Sequence, residues 1–181
     1  MNTHYFAWRR RARVAIVLGL LGLASWVDHT WIAPRGRDDR AAYHRRVGRI
    51  AGMADAVTIE VDIADAGRAN TRVRLIGVAP IAGGAGPDES QHAVQRAVEL
   101  ATARSVRLLL DPHQPPRDAD AAVRAYVWFE DDPQREMLNE ALVRDGIART
   151  DGQQHPFRVR FESHERRARR QQLGLWGDAP R

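Results

Sequence analysis

Apolar and polar residues alternate most cleanly in two neighbouring runs. In residues 57–63, Val57, Ile59, Val61 and Ile63 share one face and Thr58, Glu60 and Asp62 the other, the period-2 signature of a half-buried strand. Residues 72–80 repeat it: Val73, Leu75 and the Gly77 backbone alternate with Arg74, Ile76 and Val78. Ala79-Pro80 ends that run, because proline has no N–H to give a ladder. Asp65-Ala66-Gly67 and Asn70 lie between the two and predict a hairpin. Residues 106–110 and 122–130 read as further strands, and Ile147-Ala148-Arg149 as a brief extended piece.

Helical spacing takes over in three places. Ala93, Val94, Ala97, Val98 and Ala101 form the inner face of a helix opened by Pro87 and running to about residue 103. Met137, Leu138, Ala141 and Leu142 predict a second, starting at Asp132-Pro133 and closed by Asp145-Gly146. Phe157, Phe161, His164 and Ala168 predict a last helix with arginines on its other side, before Leu173-Gly174-Leu175-Trp176 tucks back. Hairpin, helix, two strands, helix, helix is the order of a mainly β plus α fold, a small five-stranded barrel of the oligonucleotide/oligosaccharide-binding (OB) kind capped by helices.

Ahead of this domain the pattern changes. Arg9, Arg10, Arg11 and Arg13 precede fourteen uncharged residues, 14–27, and Tyr5, Phe6, Trp8, Trp26 and Trp31 flank the run. Its length suits a signal peptide cleaved near Ala24. The aromatic flanks and a snorkelling Arg13 suit a membrane anchor, and the balance favours an uncleaved anchor over residues 14–33. The arginine cluster keeps residues 1–13 on the cytoplasmic side of a bacterial-type inner membrane, with the C-terminal domain in the periplasm or outside, and secreted if cleavage occurs. Residues 34–50, arginine-rich and poor in apolar anchors, read as a stalk; the domain spans 51–177 and 178–181 are a tail.

Charge is divided the same way. Residues 1–50 hold ten arginines against Asp28, Asp38 and Asp39, a balance of +7, and residues 51–181 hold eighteen against twenty acids, a balance of −2. A mildly acidic domain argues against non-specific grip on nucleic acid. There is no cysteine, hence no disulfide or thiolate chemistry.

Arg74 is the odd member of its strand. A cation among Val, Leu and Ile is either paired, with Asp55 as one partner, or aimed at an anion, because burial unpaired is costly. The glycine-rich residues 82–86 lack the Gly-Lys-Ser/Thr ending of a phosphate loop. Tyr126, Trp128 and Phe129 suit core and barrel wall better than base stacking, and His164 suits packing better than metal ligation. The run Arg166, Arg167, Arg169, Arg170 suits a solvated helix face. No Ser-His-Asp set, HExxH or Walker motif is present.

Together the hairpin ending Arg74-Leu75-Ile76-Gly77-Val78-Ala79-Pro80, the helix start Gly86-Pro87-Asp88-Glu89-Ser90, the strand Ala125-Tyr126-Val127-Trp128, the run Met137-Leu138-Asn139-Glu140-Ala141-Leu142-Val143-Arg144-Asp145-Gly146-Ile147-Ala148 and the ending Gly174-Leu175-Trp176 resemble the staphylococcal nuclease (thermonuclease-like) family over about residues 53–177. That resemblance implies a phosphodiesterase site with a calcium ion on two aspartates, a glutamate base and two phosphate-binding arginines. By position, Asp55 matches the first metal aspartate and Arg74 the first arginine. Val78-Ala79-Pro80-Ile81 is one residue short of the family pattern, so the second aspartate is missing and Ile81 stands for the base. Ala122 stands for the second arginine, and the Tyr-Gly pair before it is absent. Arg124, on the same strand face as Ala122, and Asp88 or Glu89 are the residues that could substitute.

The reading that follows is a membrane-anchored, exported, non-catalytic binding or assembly module of a membrane or envelope complex, with no cofactor, the membrane and other complex subunits as partners. The first alternative is a divergent calcium-dependent nuclease cutting DNA or RNA. The second is a nucleic-acid binder without cleavage, which the −2 balance disfavours. Carboxylates beside Arg74 with a second arginine facing it would favour the enzyme, and an apolar mouth around Ile81 the module.

Overall fold

The hairpin of the alternating runs is the start of a closed barrel. A computed structural model describes residues 39–81, 87–134 and 136–177. The chain divides into two compact units, Met1–Ala41 and Ala42–Arg181, and the second is described here. Its strands are β1 (Val47–Asp55), β2 (Thr58–Val61), β3 (Thr71–Leu75), β4 (Val78–Pro80), β5 (Ser105–Leu109), β6 (Val123–Phe129) and β7 (Ala148–Thr150). Its helices are α1 (Pro87–Ala101), α2 (Leu138–Arg144) and α3 (Arg158–Arg170), followed by a 3-10 turn at Gly174–Trp176. The barrel closes in the order β1-β2-β3-β6-β5, and β4 pairs with β7 outside it. Five strands and flanking helices are the expected OB-like architecture.

β1 closes the barrel by serving two neighbours. Val47, Gly48 and Arg49 pair antiparallel with β5, and Ile50 to Asp55 pair with β2 through two register shifts. Such bulges bend and coil a strand, as a small barrel requires. β1 therefore opens at Val47, inside the stretch 34–50 that composition assigns to a stalk, and Tyr43 is already part of the core. Inward residues follow the predicted alternation: Val57, Ile59, Val61, Val73, Val106, Leu108, Val123, Ala125 and Val127 are fully buried.

Two other boundaries move. Residues 72–80 are not one strand, because Gly77 turns the chain at φ +80 and splits β3 from β4. A Cβ at Gly77 would also lie 2.6 Å from the His155 ring, so backbone and packing both demand glycine there. α2 begins at Leu138 rather than at Asp132. Asp132 instead accepts the Gln134 and Glu136 N–H groups at 2.9 and 3.1 Å in a local turn, and Met137 bridges to Trp128 in β6.

α2 carries the polar centre of the core. Asn139, fully buried, accepts the Val127 N–H at Oδ1 (2.9 Å) and donates from Nδ2 to the carbonyls of Ile76 (2.9 Å) and Ala125 (3.3 Å). The next residue, Glu140, accepts from Arg160 and from His164 Nε2 (2.7 Å), which fastens α3 to α2. His164 is thus a packed helix histidine. Burial first, then Arg160, Arg144 and Arg167, hold its pKa below the usual range, so its neutral ring donates to Glu140. Among the described residues no helix is long and apolar enough to cross a membrane; the anchor segment 14–33, the glycine-rich loop and the tail lie outside them.

Asn139→Ala should lower stability by about 2–4 kcal/mol, because the Val127 N–H and Ile76 carbonyl lose their partner where water cannot replace it. A lower urea midpoint at unchanged slope would report it.

Candidate functional site

Register places the two arginines together. Arg74 on β3 is opposite Thr58 on β2 and Arg124 on β6, so the three share one cross-strand row, on the opposite side from Val73, Leu75, Val123 and Ala125. Paired positions in neighbouring strands lie about 5 Å apart at Cβ, where like charges repel. Two aspartates offset that repulsion. Arg74 Nη1 is 3.8 Å from Asp55 Oδ2, and its Nε is 3.5 Å from Asp118 Oδ2.

Each aspartate is aimed by its own backbone. Asp55 Oδ1 accepts the Val57 N–H at 2.8 Å. Asp118 Oδ1 accepts the N–H groups of Asp120 (3.0 Å) and Ala122 (2.9 Å). These Asx turns occupy one oxygen of each carboxylate and present the other to Arg74. At 3.5–3.8 Å the contacts are ion pairs without hydrogen bonding, and the Arg74 side chain keeps 31% of its surface. Arg124 is half-buried and has no carboxylate within salt-bridge distance among the described residues; its backbone N–H donates to Pro116. The Thr58 hydroxyl on the same row is buried without a hydrogen-bond partner.

Two of the positions at which the resemblance calls for catalytic groups hold apolar residues. Ile81 packs against the core as a partly buried hydrophobic, and Ala122 is buried. Asp88 and Glu89 lie in the first turn of α1, where side chains fall outside the described residues. Among the described residues no three His, Asp or Glu side chains converge as metal ligands. Calcium seeks six to eight oxygens. Here Asp55 has one oxygen on a backbone N–H and the other toward a guanidinium, so the described residues do not by themselves build a site for that ion.

The outer face of β6 continues into a second cluster. Tyr126 donates its hydroxyl to Asp111 Oδ2 (3.2 Å), and Asp111 is buried while its Oδ1 accepts the His113 N–H at 2.8 Å. Burial raises the Tyr126 pKa far above the usual phenol range, and the Asp111 carboxylate adds to it. Phe157 stands edge-on to both Tyr126 and Trp128, at 4.9 and 6.1 Å. Tyr126 and Phe129 are core, and Trp128 is half-buried wall, in agreement with the sequence reading. Asp118, Thr58 and Asp111 are the site residues that reading missed. Asp118-Ala119-Asp120 had a local signal, the short spacing of an Asx turn; the other two become visible only through strand pairing.

A model of the family described as Staphylococcal nuclease homologue matches residues 72–178. Arg74, Ile81, Ala122 and Arg124 fall within the match, and Asp55 precedes it. No curated protein matches the chain.

His155 gives the site's pH test. Its Nδ1 accepts the Phe157 N–H at 3.3 Å, and burial holds its pKa below the ordinary 6.5 against the opposing pull of Asp151 and Asp111. A depressed folded-state pKa means this contribution to stability is complete above the unfolded value and is lost as pH falls through the folded one. Unfolding free energy should therefore decline from about pH 6.5 downward, and the decline should be shallower in His155→Gln. His164, also depressed, leaves a residual slope.

Proposed function

Because the chain belongs to the staphylococcal nuclease homologue family, we propose that it is a divergent member that uses the barrel as a non-catalytic binding or assembly module, carried on a membrane by its N-terminal segment. One observation carries this reading: Ile81 packs on the core where the family resemblance calls for a glutamate, which leaves no general base at that position. Asp55 and Asp118 each spend one oxygen on a backbone turn and direct the other at Arg74, so a phosphate must displace them to reach the guanidinium. Losing one transition-state donor costs roughly 3–4 kcal/mol, and here base, carboxylate and arginine are displaced together. Tethering suits a subunit that meets its partners in the plane of the bilayer.

A second reading is favoured by a specific feature. Arg74 and Arg124 share a row and two aspartates flank it, the arrangement expected of an enzyme. In that reading a phosphodiester displaces Asp55 and Asp118 from Arg74, Arg124 supplies the second guanidinium, and the enzyme is a calcium-dependent nuclease acting on DNA or RNA.

Assay of the full-length protein on single-stranded DNA and RNA with calcium separates the two. The module reading expects no cleavage above the background of Arg74→Ala, with or without chelator. Cleavage that calcium requires and Arg74→Ala abolishes would establish the enzyme.

A further inference from the structure

α3 carries six arginines and two glutamates. Its inner side is accounted for by buried Phe161, Glu165 and Ala168. Three of the arginines are paired: Arg158 with Glu162, Arg160 with Glu140, and Arg169 with Glu165. Arg169 also lies over Trp176 at 4.0 Å. The other three, Arg166, Arg167 and Arg170, are exposed. Arg167 donates to the neutral Gln171 at 3.2 Å, and none of the three reaches a carboxylate among the described residues.

Their placement is ordered. Val159, Ser163, Arg166 and Arg170 succeed one another at helical steps of four, three and four, a single stripe about 16 Å long, with Arg167 beside it. An apolar residue opens the stripe, Val159 with 70% of its surface exposed. Arginines in a last turn complement the helix dipole, which accounts for cations there. It does not account for an exposed valine at the other end of the same stripe.

We propose that this face of α3 rests on an anionic lipid surface, with Arg166, Arg167 and Arg170 on lipid phosphates and Val159 among the headgroups. Guanidinium forks match phosphate oxygens in pairs, and a basic stripe that includes an exposed apolar residue suits a helix lying at an anionic interface. Nucleic acid shares the phosphate chemistry but fits less well. The stripe has no aromatic residue for base stacking. The proposal rests on α3 and holds whether or not residues 14–33 form an anchor.

The absence of cysteine lets Ser163→Cys carry a single environment-sensitive fluorophore at the centre of the stripe in the full-length protein. Vesicles of phosphatidylcholine, with and without phosphatidylglycerol, include a headgroup-quencher lipid. The expected result is quenching on the anionic vesicles alone, reversed by high salt and lost in Arg166→Glu/Arg167→Glu/Arg170→Glu. A probe equally water-exposed on both vesicle types overturns the proposal, with no reliance on the triple variant. A probe shielded by single-stranded DNA and untouched by anionic vesicles overturns it in favour of nucleic acid. Sedimentation with neutral vesicles reports the N-terminal segment separately, so the two membrane readings fail independently.

Discussion

The carboxamide of Asn139 must be satisfied in the interior, and three pieces of chain meet around it. Its oxygen takes the N–H of Val127 in β6, and its nitrogen serves the carbonyls of Ile76, in the turn after β3, and of Ala125. β3 and β6 are the parallel pair of the barrel, joined by a crossover through α1 and β5. A parallel pair ends without a shared turn. At this end the side chain does what a turn does elsewhere, and it ties both strands to α2. Glu140 extends the linkage to Arg160 and His164 on α3. The run containing Leu138-Asn139-Glu140 is therefore a structural clamp.

That same parallel pair creates the arginine row. Equal register puts Arg74 and Arg124 side by side, and a fold that brings two cations together must supply opposing charge from nearby loops or from a ligand. Asp55 is the last residue of β1, and Asp118 lies in the loop before β6. Both are preset by backbone N–H donors, so they lose little freedom in facing Arg74. Ion pairs of this exposure are individually weak. Their effect is on occupancy: an incoming phosphate must compete with two carboxylates already in place.

The loop that supplies Asp118 is itself fastened. Arg117 forks onto Asp65 with contacts of 2.9 Å to both oxygens, and it also donates to the Tyr43 hydroxyl at 3.2 Å. The guanidinium beside Asp65 holds that carboxyl below its usual range. One network thus joins the segment entering β1, the β2–β3 turn and the site loop.

Alternation in residues 57–63 and 71–75 was legible because half-buried strands write their inner face into the sequence, and the helical spacing of α2 and α3 for the same reason. The resemblance placed the family, and the lone cation at Arg74 marked the site. β1 was not legible. Gly48, Arg49, Ala51 and Gly52 carry little strand preference, and Ile50 is the one buried residue of the strand. That segment is a strand because both its neighbours need a partner, a non-local condition. The start of α2 was misread because Asp132-Pro133 can open either a helix or a turn, and pairing of Met137 with Trp128 decides between them. Composition by itself determined the arginine-rich head and the mildly acidic domain. Tertiary structure alone decided that Arg124 stands beside Arg74, that Asp118 and Thr58 join them, and which arginines of α3 reach a carboxylate among the described residues, because register and packing between distant segments set those neighbours.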